Sequence, residues 1–130
     1  MTLCVCVCLI DCLLICFVFY CTVYIFPGLG LGATLCGAKR VSDKMLYVAA
    51  EALAHFVTDE ELQEGKVFPP LSKIRDVSRR VAVAVIEQAR KEGQARKMND
   101  VTSDDLDAFV HKKMYDPVYV PLVETREVTI

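Results

Sequence analysis

The residue types able to do chemistry are unevenly placed along this chain. Six of its 7 cysteines, Cys4, Cys6, Cys8, Cys12, Cys16 and Cys21, precede residue 22, and Cys36 follows alone. A secreted disulfide framework spreads its cysteines through the folded part to close loops, so that reading is poor. Cys4, Cys6 and Cys8 alternate with valines, and no His or carboxylate flanks them; metal binding there is set aside. Two histidines, His55 and His111, stand far apart with no Cys or His at helical spacing. The cluster Asp59, Glu60 and Glu61 suits the first turn of a helix better than a cation. Gly28-Leu29-Gly30-Leu31-Gly32-Ala33 matches G-x-G-x-x-A, the phosphate-cradling turn of dinucleotide-binding folds. Its setting argues against that use. Pro27 stands directly before the first glycine, and the nearest later acids, Asp43 and Glu51, fall in a helical pattern. A glycine-rich helix start packed closely on a neighbour is preferred. No G-x-S-x-G, H-E-x-x-H, C-x-x-C or P-loop occurs. From residue 23 onward, nothing forms a constellation able to perform a reaction alone.

The elements that must position these residues divide at Val23. Residues 1–26 carry one charge, Asp11, and the first basic residue is Lys39. Such a leader is long enough to cross a bilayer, although Asp11 near mid-span costs about 3 kcal/mol on insertion scales. It lacks the basic start and small-residue cleavage site of a signal peptide, and the Arg and Ser of a transit peptide. Three readings stay open: a membrane anchor, a buried element of a larger assembly, or a start that is not native to the rest of the chain. Mean hydropathy is +0.35, much of it from this leader. Net charge is −2, so no global basic field points to nucleic acid. One domain is expected, with room for a helical core but little for a complete doubly wound α/β domain.

Val23 to Phe26 reads as a buried strand of β-branched and aromatic residues, broken at Pro27-Gly28 before a helix begins. Strand, tight turn, helix is the grammar of an α/β layer protein. Ser42 caps a helix over Asp43 to Val57 with one apolar face. Thr58 and Glu61 form a capping box for a short helix ending at Gly65. Phe68-Pro69-Pro70 demands an extended connector. The longest helix spans Ser72 to Glu92 and closes at Gly93. Val81 to Ile86 is apolar on every side, so more than one face needs cover, more than a chain this short promises. Gln94 to Val101 is a polar link, and Arg79, Arg80, Arg90, Lys91, Arg96 and Lys97 read as a solvated basic face. A last helix runs from Thr102 or Ser103 to Lys113, acids first and bases last, matching the helix dipole. Tyr115 to Val123 is an extended apolar tail suited to docking.

From Val23 on, the chain resembles the C-terminal end of malic enzymes. The resemblance rests on Val23-Tyr24-Ile25-Phe26-Pro27-Gly28-Leu29-Gly30-Leu31-Gly32, on Val41-Ser42-Asp43, and on Ala49-Ala50-Glu51-Ala52-Leu53-Ala54. Thr58-Asp59-Glu60-Glu61-Leu62, Gly65-Lys66-Val67-Phe68-Pro69-Pro70-Leu71, Ile74-Arg75-Asp76-Val77-Ser78 and Met114-Tyr115-Asp116-Pro117-Val118-Tyr119 continue it in order. It implies a mostly α structure: the helical C-terminal portion of an α/β Rossmann-type NAD(P)-binding domain, incomplete, behind an apolar leader. The implied divisions are residues 1–22 as leader, 23–123 as the family segment and 124–130 as a tail.

The implied reaction is oxidative decarboxylation of malate to pyruvate with NAD or NADP and Mg²⁺ or Mn²⁺, in homo-oligomers whose subunits the tail helps to join. The family is mitochondrial, plastid or cytosolic. Its general base Lys, general acid Tyr and metal-holding carboxylates lie upstream of the matched region, so no catalytic, cofactor-binding or metal-binding residue carries over. An Asn pair that helps hold the malate carboxylate falls at Cys21 and Thr22. Thr22 offers a single hydroxyl there and does not reproduce an amide. The expectation is a family fragment without activity of its own. The alternative is a membrane-anchored helical interaction module without catalysis.

Overall fold

The computed structural model describes residues 22–98 and 101–116. Residues 1–21 of the leader and most of the apolar tail lie outside these residues. Five α-helices occur among them: α1 (residues 22–36), α2 (Asp43–Ala54), α3 (Asp59–Gln63), α4 (Ile74–Lys91) and α5 (Ser103–Lys113). A single 3-10 turn, Leu71–Lys73, leads into α4. No strand occurs among the described residues. No described helix is long and apolar enough to cross a membrane.

The strand expected over Val23–Phe26 is instead helical, part of α1. The burial pattern shows why. Tyr24, Gly28, Leu29, Gly32 and Cys36 point inward at helical spacing, whereas Val23, Phe26 and Gly30 face out. Pro27 does not end the helix; it lies on the exposed side. A proline inside a helix still removes one backbone bond, so tertiary packing has overridden local preference here.

Helix α4 is the centre on which the others pack. Val77, Val81, Ala82, Val85, Ile86 and Ala89 are fully enclosed along it. Helix α2 contributes Met45, Ala49 and Leu53 to this core, and α5 contributes Leu106 and Val110. Cover for the apolar run Val81 to Ile86, which was expected to need more chain than this, comes from α1, α2 and α5 of the same polypeptide. Only Val83 and Ala84 of that run stay half-exposed.

The contact between α1 and α4 is glycine-dependent. A Cβ at Gly28 would stand 2.6 Å from the Ser78 carbonyl oxygen and 2.6 Å from Val81 Cβ. One at Gly32 would stand 2.8 Å from the Ala82 carbonyl oxygen. At Gly30 it would meet nothing within 4 Å. Gly28 and Gly32, one turn apart, are therefore the contact pair, and Gly30 points to solvent.

Helix ends follow local chemistry. The Ser42 hydroxyl accepts the Met45 N–H at 3.2 Å, and α2 stops at Ala54, three residues before the expected Val57. There the chain turns so that Thr58 can open α3. The Thr58 N–H donates to Glu61 Oε2 at 3.2 Å, and the Glu61 N–H donates to Thr58 Oγ1 at 3.3 Å, which completes the capping box. Lys73 Nζ lies 3.6 Å from the other Glu61 oxygen. Helices α3 and α4 close at left-handed Gly65 and Gly93, with φ of 79° and 65°. Pro70, at φ −63° and ψ 146°, keeps the connector before α4 extended. Helix α5 carries Asp104 and Asp105 in its first turn and His111, Lys112 and Lys113 in its last, although the Thr102 side chain makes no capping bond. Arg79 of α4 reaches Asp76 at 3.7 Å and Asp107 of α5 at 3.4 Å.

Two measurements check this packing. Gly28→Ala or Gly32→Ala should destabilise the chain by about 1–3 kcal/mol through overpacking, while Gly30→Ala should leave stability unchanged or raise it by up to about 1 kcal/mol through helix propensity, all read by denaturant unfolding. The second concerns pH. The Thr58 N–H, aided by Lys73, holds the Glu61 carboxyl below the usual carboxylate range. Its contribution is therefore complete above the unfolded pKa and fades as pH falls through the lower folded value. Protection of the α3 amides, as exchange rate relative to the intrinsic rate at each pH, should fall in acid for the natural chain; Glu61→Gln, which keeps an acceptor without titrating, should flatten that dependence.

Candidate functional site

The expected point of contact with substrate is Thr22, at the start of the described part of α1. Its surroundings are set by Tyr24, which is 1% exposed. The Tyr24 hydroxyl donates to the Pro69 carbonyl at 2.5 Å. Its ring stacks on Phe68 with centroids 5.9 Å apart and planes within 2°. The proline-held connector before α4 thus fixes the rotation of α1 and places Thr22 on the exposed side. No sequence signal pairs Tyr24 with Phe68 and Pro69, because the partners are 45 residues apart. Cys21, the other position of the family Asn pair, lies outside the described residues.

The opposite end of α1 is held just as firmly. The Cys36 carbonyl accepts the backbone N–H groups of Arg96 at 3.0 Å and Lys97 at 2.9 Å, and the Gln94 carbonyl accepts that of Lys39 at 3.1 Å. The link after α4 is therefore a cap for α1 and not merely a polar spacer. Arg90 does not belong to a solvated basic face either. It is half-buried, and its guanidinium donates to the Met98 carbonyl, where Met98 takes a left-handed φ of 69°. The Cys36 thiol is fully enclosed and its pKa is pushed up, chiefly by burial. Its sulfur lies 3.6 Å from the Ala33 carbonyl, so it behaves as core and not as a nucleophile.

The G-x-G-x-x-A run does not fit a dinucleotide. A phosphate cradle needs free backbone N–H groups at a helix N-terminus. Here the glycines lie within α1, and the approach that Gly28 and Gly32 permit is taken by the backbone of α4. The acidic residues do not fit a metal: Glu61 is engaged with Thr58 and Lys73, and no group of three potential ligands converges among the described residues. His55 Nδ1 lies 2.9 Å from the Glu51 carbonyl one turn earlier, and His111 is exposed in the last turn of α5.

Concavities among the described residues include two of contrasting character. One, of about 300 Å³, lies between α2 and α4 with Glu51, His55, Arg80, Glu87 and Lys91 at its walls. Its charges are mixed and exposed, and it selects no ligand class. The other, of about 430 Å³, is apolar and lies where α1, the start of α4 and the end of α5 meet. Pro27, Leu31, Ile74, Met114 and Tyr115 line it together with the polar Arg75, Ser78 and Lys113.

Comparison with known proteins adds what this geometry leaves open. The family described as malic enzyme, NAD binding domain, matches residues 21–90. The chain is 48% identical over 96 residues to an NADP-dependent malic enzyme of Dictyostelium discoideum, covering 74% of this chain and 17% of that protein. It is 42% identical over 108 residues to the mitochondrial NAD-dependent malic enzyme 1 of Arabidopsis thaliana, covering 77% and 17%. It is 46% identical over 96 residues to NADP-dependent malic enzyme 2 of the same plant, covering 74% and 16%. The chain thus spans less than a fifth of the length of these curated relatives. With more than half of its residues inside the family match, the chain belongs to the malic enzyme family, in the part that forms the NAD-binding domain.

Proposed function

We propose that this chain is the helical C-terminal portion of a malic-enzyme NAD-binding domain and does not turn over malate alone. The family match over residues 21–90 carries this reading. In this reading the five helices are the outer layer of a Rossmann-type α/β unit whose sheet belongs to sequence this chain does not supply. The family reaction converts malate and NAD or NADP to pyruvate, carbon dioxide and the reduced cofactor, with a divalent metal polarising the substrate oxygen. The relatives include enzymes named for each of the two cofactors. The base, acid and metal carboxylates implied by the family lie upstream of the matched region. Within these helices the glycine run is closed by α4, and Glu61 serves its helix cap. At the family's Asn position, Thr22 would offer one hydroxyl to a malate carboxylate, a weaker hold than an amide.

A second reading, a membrane-anchored helical interaction module, draws on one observation. Val23 and Phe26 are 41% and 58% exposed on the outer face of α1 and adjoin the apolar leader. Carbonate extraction from native cells separates the two, since a protein released to the supernatant is not an integral anchor.

Assay of the purified chain with malate, Mn²⁺ and either NAD or NADP should give no reduced nicotinamide above background. Full-length malic enzyme serves as the positive control. Clear turnover by this chain alone would overturn the proposal.

A further inference from the structure

We infer that the outer face of α4 is a self-complementary seam on which a second copy of this chain packs antiparallel. A palindrome of charge carries this. Asp76, Arg80, Val83, Ala84, Glu87 and Lys91 recur at helical spacing, so they share one stripe, opposite the core positions Val81, Ala82, Val85 and Ala89. Asp76, Arg80 and Lys91 are exposed, and Val83, Ala84 and Glu87 are half-exposed. Outward from the Val83–Ala84 junction, the stripe residues at equal distance are first Arg80 and Glu87, then Asp76 and Lys91. Each of these pairs joins opposite charges. A twofold axis at the junction reverses the helix direction. It therefore sets Arg80 of each copy against Glu87 of the other, with Asp76 against Lys91 outside them and Val83 on Ala84 at the centre.

The stripe is open and its charges are uncommitted. Concavities of about 300 and 330 Å³ flank it, edged by Ala52 of α2 and Asp107 of α5. Arg80, Glu87 and Lys91 form no ion pair among the described residues, and Asp76 has only the loose 3.7 Å contact with Arg79. From Asp76 to Lys91 the stripe runs roughly 22 Å, and a shallow crossing of about 20° keeps both charge pairs within side-chain reach. Val83 and Ala84 are small enough for the two helix axes to approach to about 8 Å. A sheet is a poor occupant. Parallel strands present continuous apolar side chains, and burying Arg80, Glu87 and Lys91 under them would leave the charges unpaired. A foreign helix would need this order of charges in reverse; the chain itself, run antiparallel, supplies it. The occupant is therefore a second copy, whatever reaction the family segment serves.

Sedimentation equilibrium of the full chain tests this. Exposed ion pairs contribute little each, so the natural chain should dimerise with a dissociation constant of about 10–100 µM. Arg80→Glu or Glu87→Arg sets like charges at both symmetry-related contacts and should weaken the dimer at least about tenfold. The double variant, Arg80→Glu with Glu87→Arg, should dimerise again. So should an equimolar mixture of the two single variants, because each then supplies the charges the other lacks. Should either substitution abolish helical circular dichroism, Lys91→Glu with Asp76→Lys repeats the swap at the outer pair. A natural chain that stays monomeric at about 0.5 mM would overturn the inference and give the face to another partner. So would association that both single variants share, which would put the contact elsewhere. A double variant and mixture no tighter than the single variants would also overturn it, since the charges would then be incidental.

Discussion

The closeness of α1 to α4 is the constraint on which the rest of the molecule depends. With Cβ positions at Gly28 and Gly32 already within 2.8 Å of α4 backbone or side-chain atoms, the helices meet at a distance open only to glycine. Dispersion per atom pair is small, but it accumulates over two backbones in contact. The facing residues cooperate. Ala82 is small, and Ser78 turns its hydroxyl back to the Ile74 carbonyl at 2.8 Å, out of the way of α1. Once α1 is seated, its other attachments fall into register. Tyr24 reaches Pro69, Leu29 and Cys36 enter the core, and the Cys36 carbonyl meets the link after α4.

Much of the helical architecture was legible in the residues because it is governed locally. Ser42, the Thr58–Glu61 box, Gly65, Gly93 and the acid-to-base order of α5 act within one turn of themselves, and each stands where that chemistry predicts. The lapse was α1. Val-Tyr-Ile-Phe has strand propensity, and Gly28, Gly30 and Gly32 look like an alternation of period two. The period that matters is four, because Gly28 and Gly32 face α4 while Gly30 faces nothing. Only the partner helix, some 50 residues on, distinguishes these periods. Arg90 was misplaced for the same reason: its partner, the Met98 carbonyl, belongs to a loop whose path no local rule gives.

The family segment explains why a match to a dinucleotide motif accompanies an architecture that does not use it. Glycine serves two purposes in nucleotide-binding domains, close approach of a phosphate and close approach of another helix. The sequence pattern records the need for space, not its occupant. In this chain the space is filled by Ser78, Val81 and Ala82. The expectation that Thr22 contacts substrate came only from the resemblance to malic enzymes, since a lone threonine carries no chemical signature.

The stacked pair Tyr24 and Phe68 has a spectroscopic corollary. The protein has 5 tyrosines and no tryptophan, and of the three within the described residues, Tyr47 and Tyr115 are 68% and 81% exposed whereas Tyr24 is enclosed beside a parallel ring. An asymmetric, immobile phenol is what gives aromatic side chains optical activity in the near ultraviolet. The weak bands near the tyrosine absorption edge therefore arise chiefly, among these three, at the seam between α1 and the proline connector. Their disappearance would register the parting of that seam even while the helices themselves persisted.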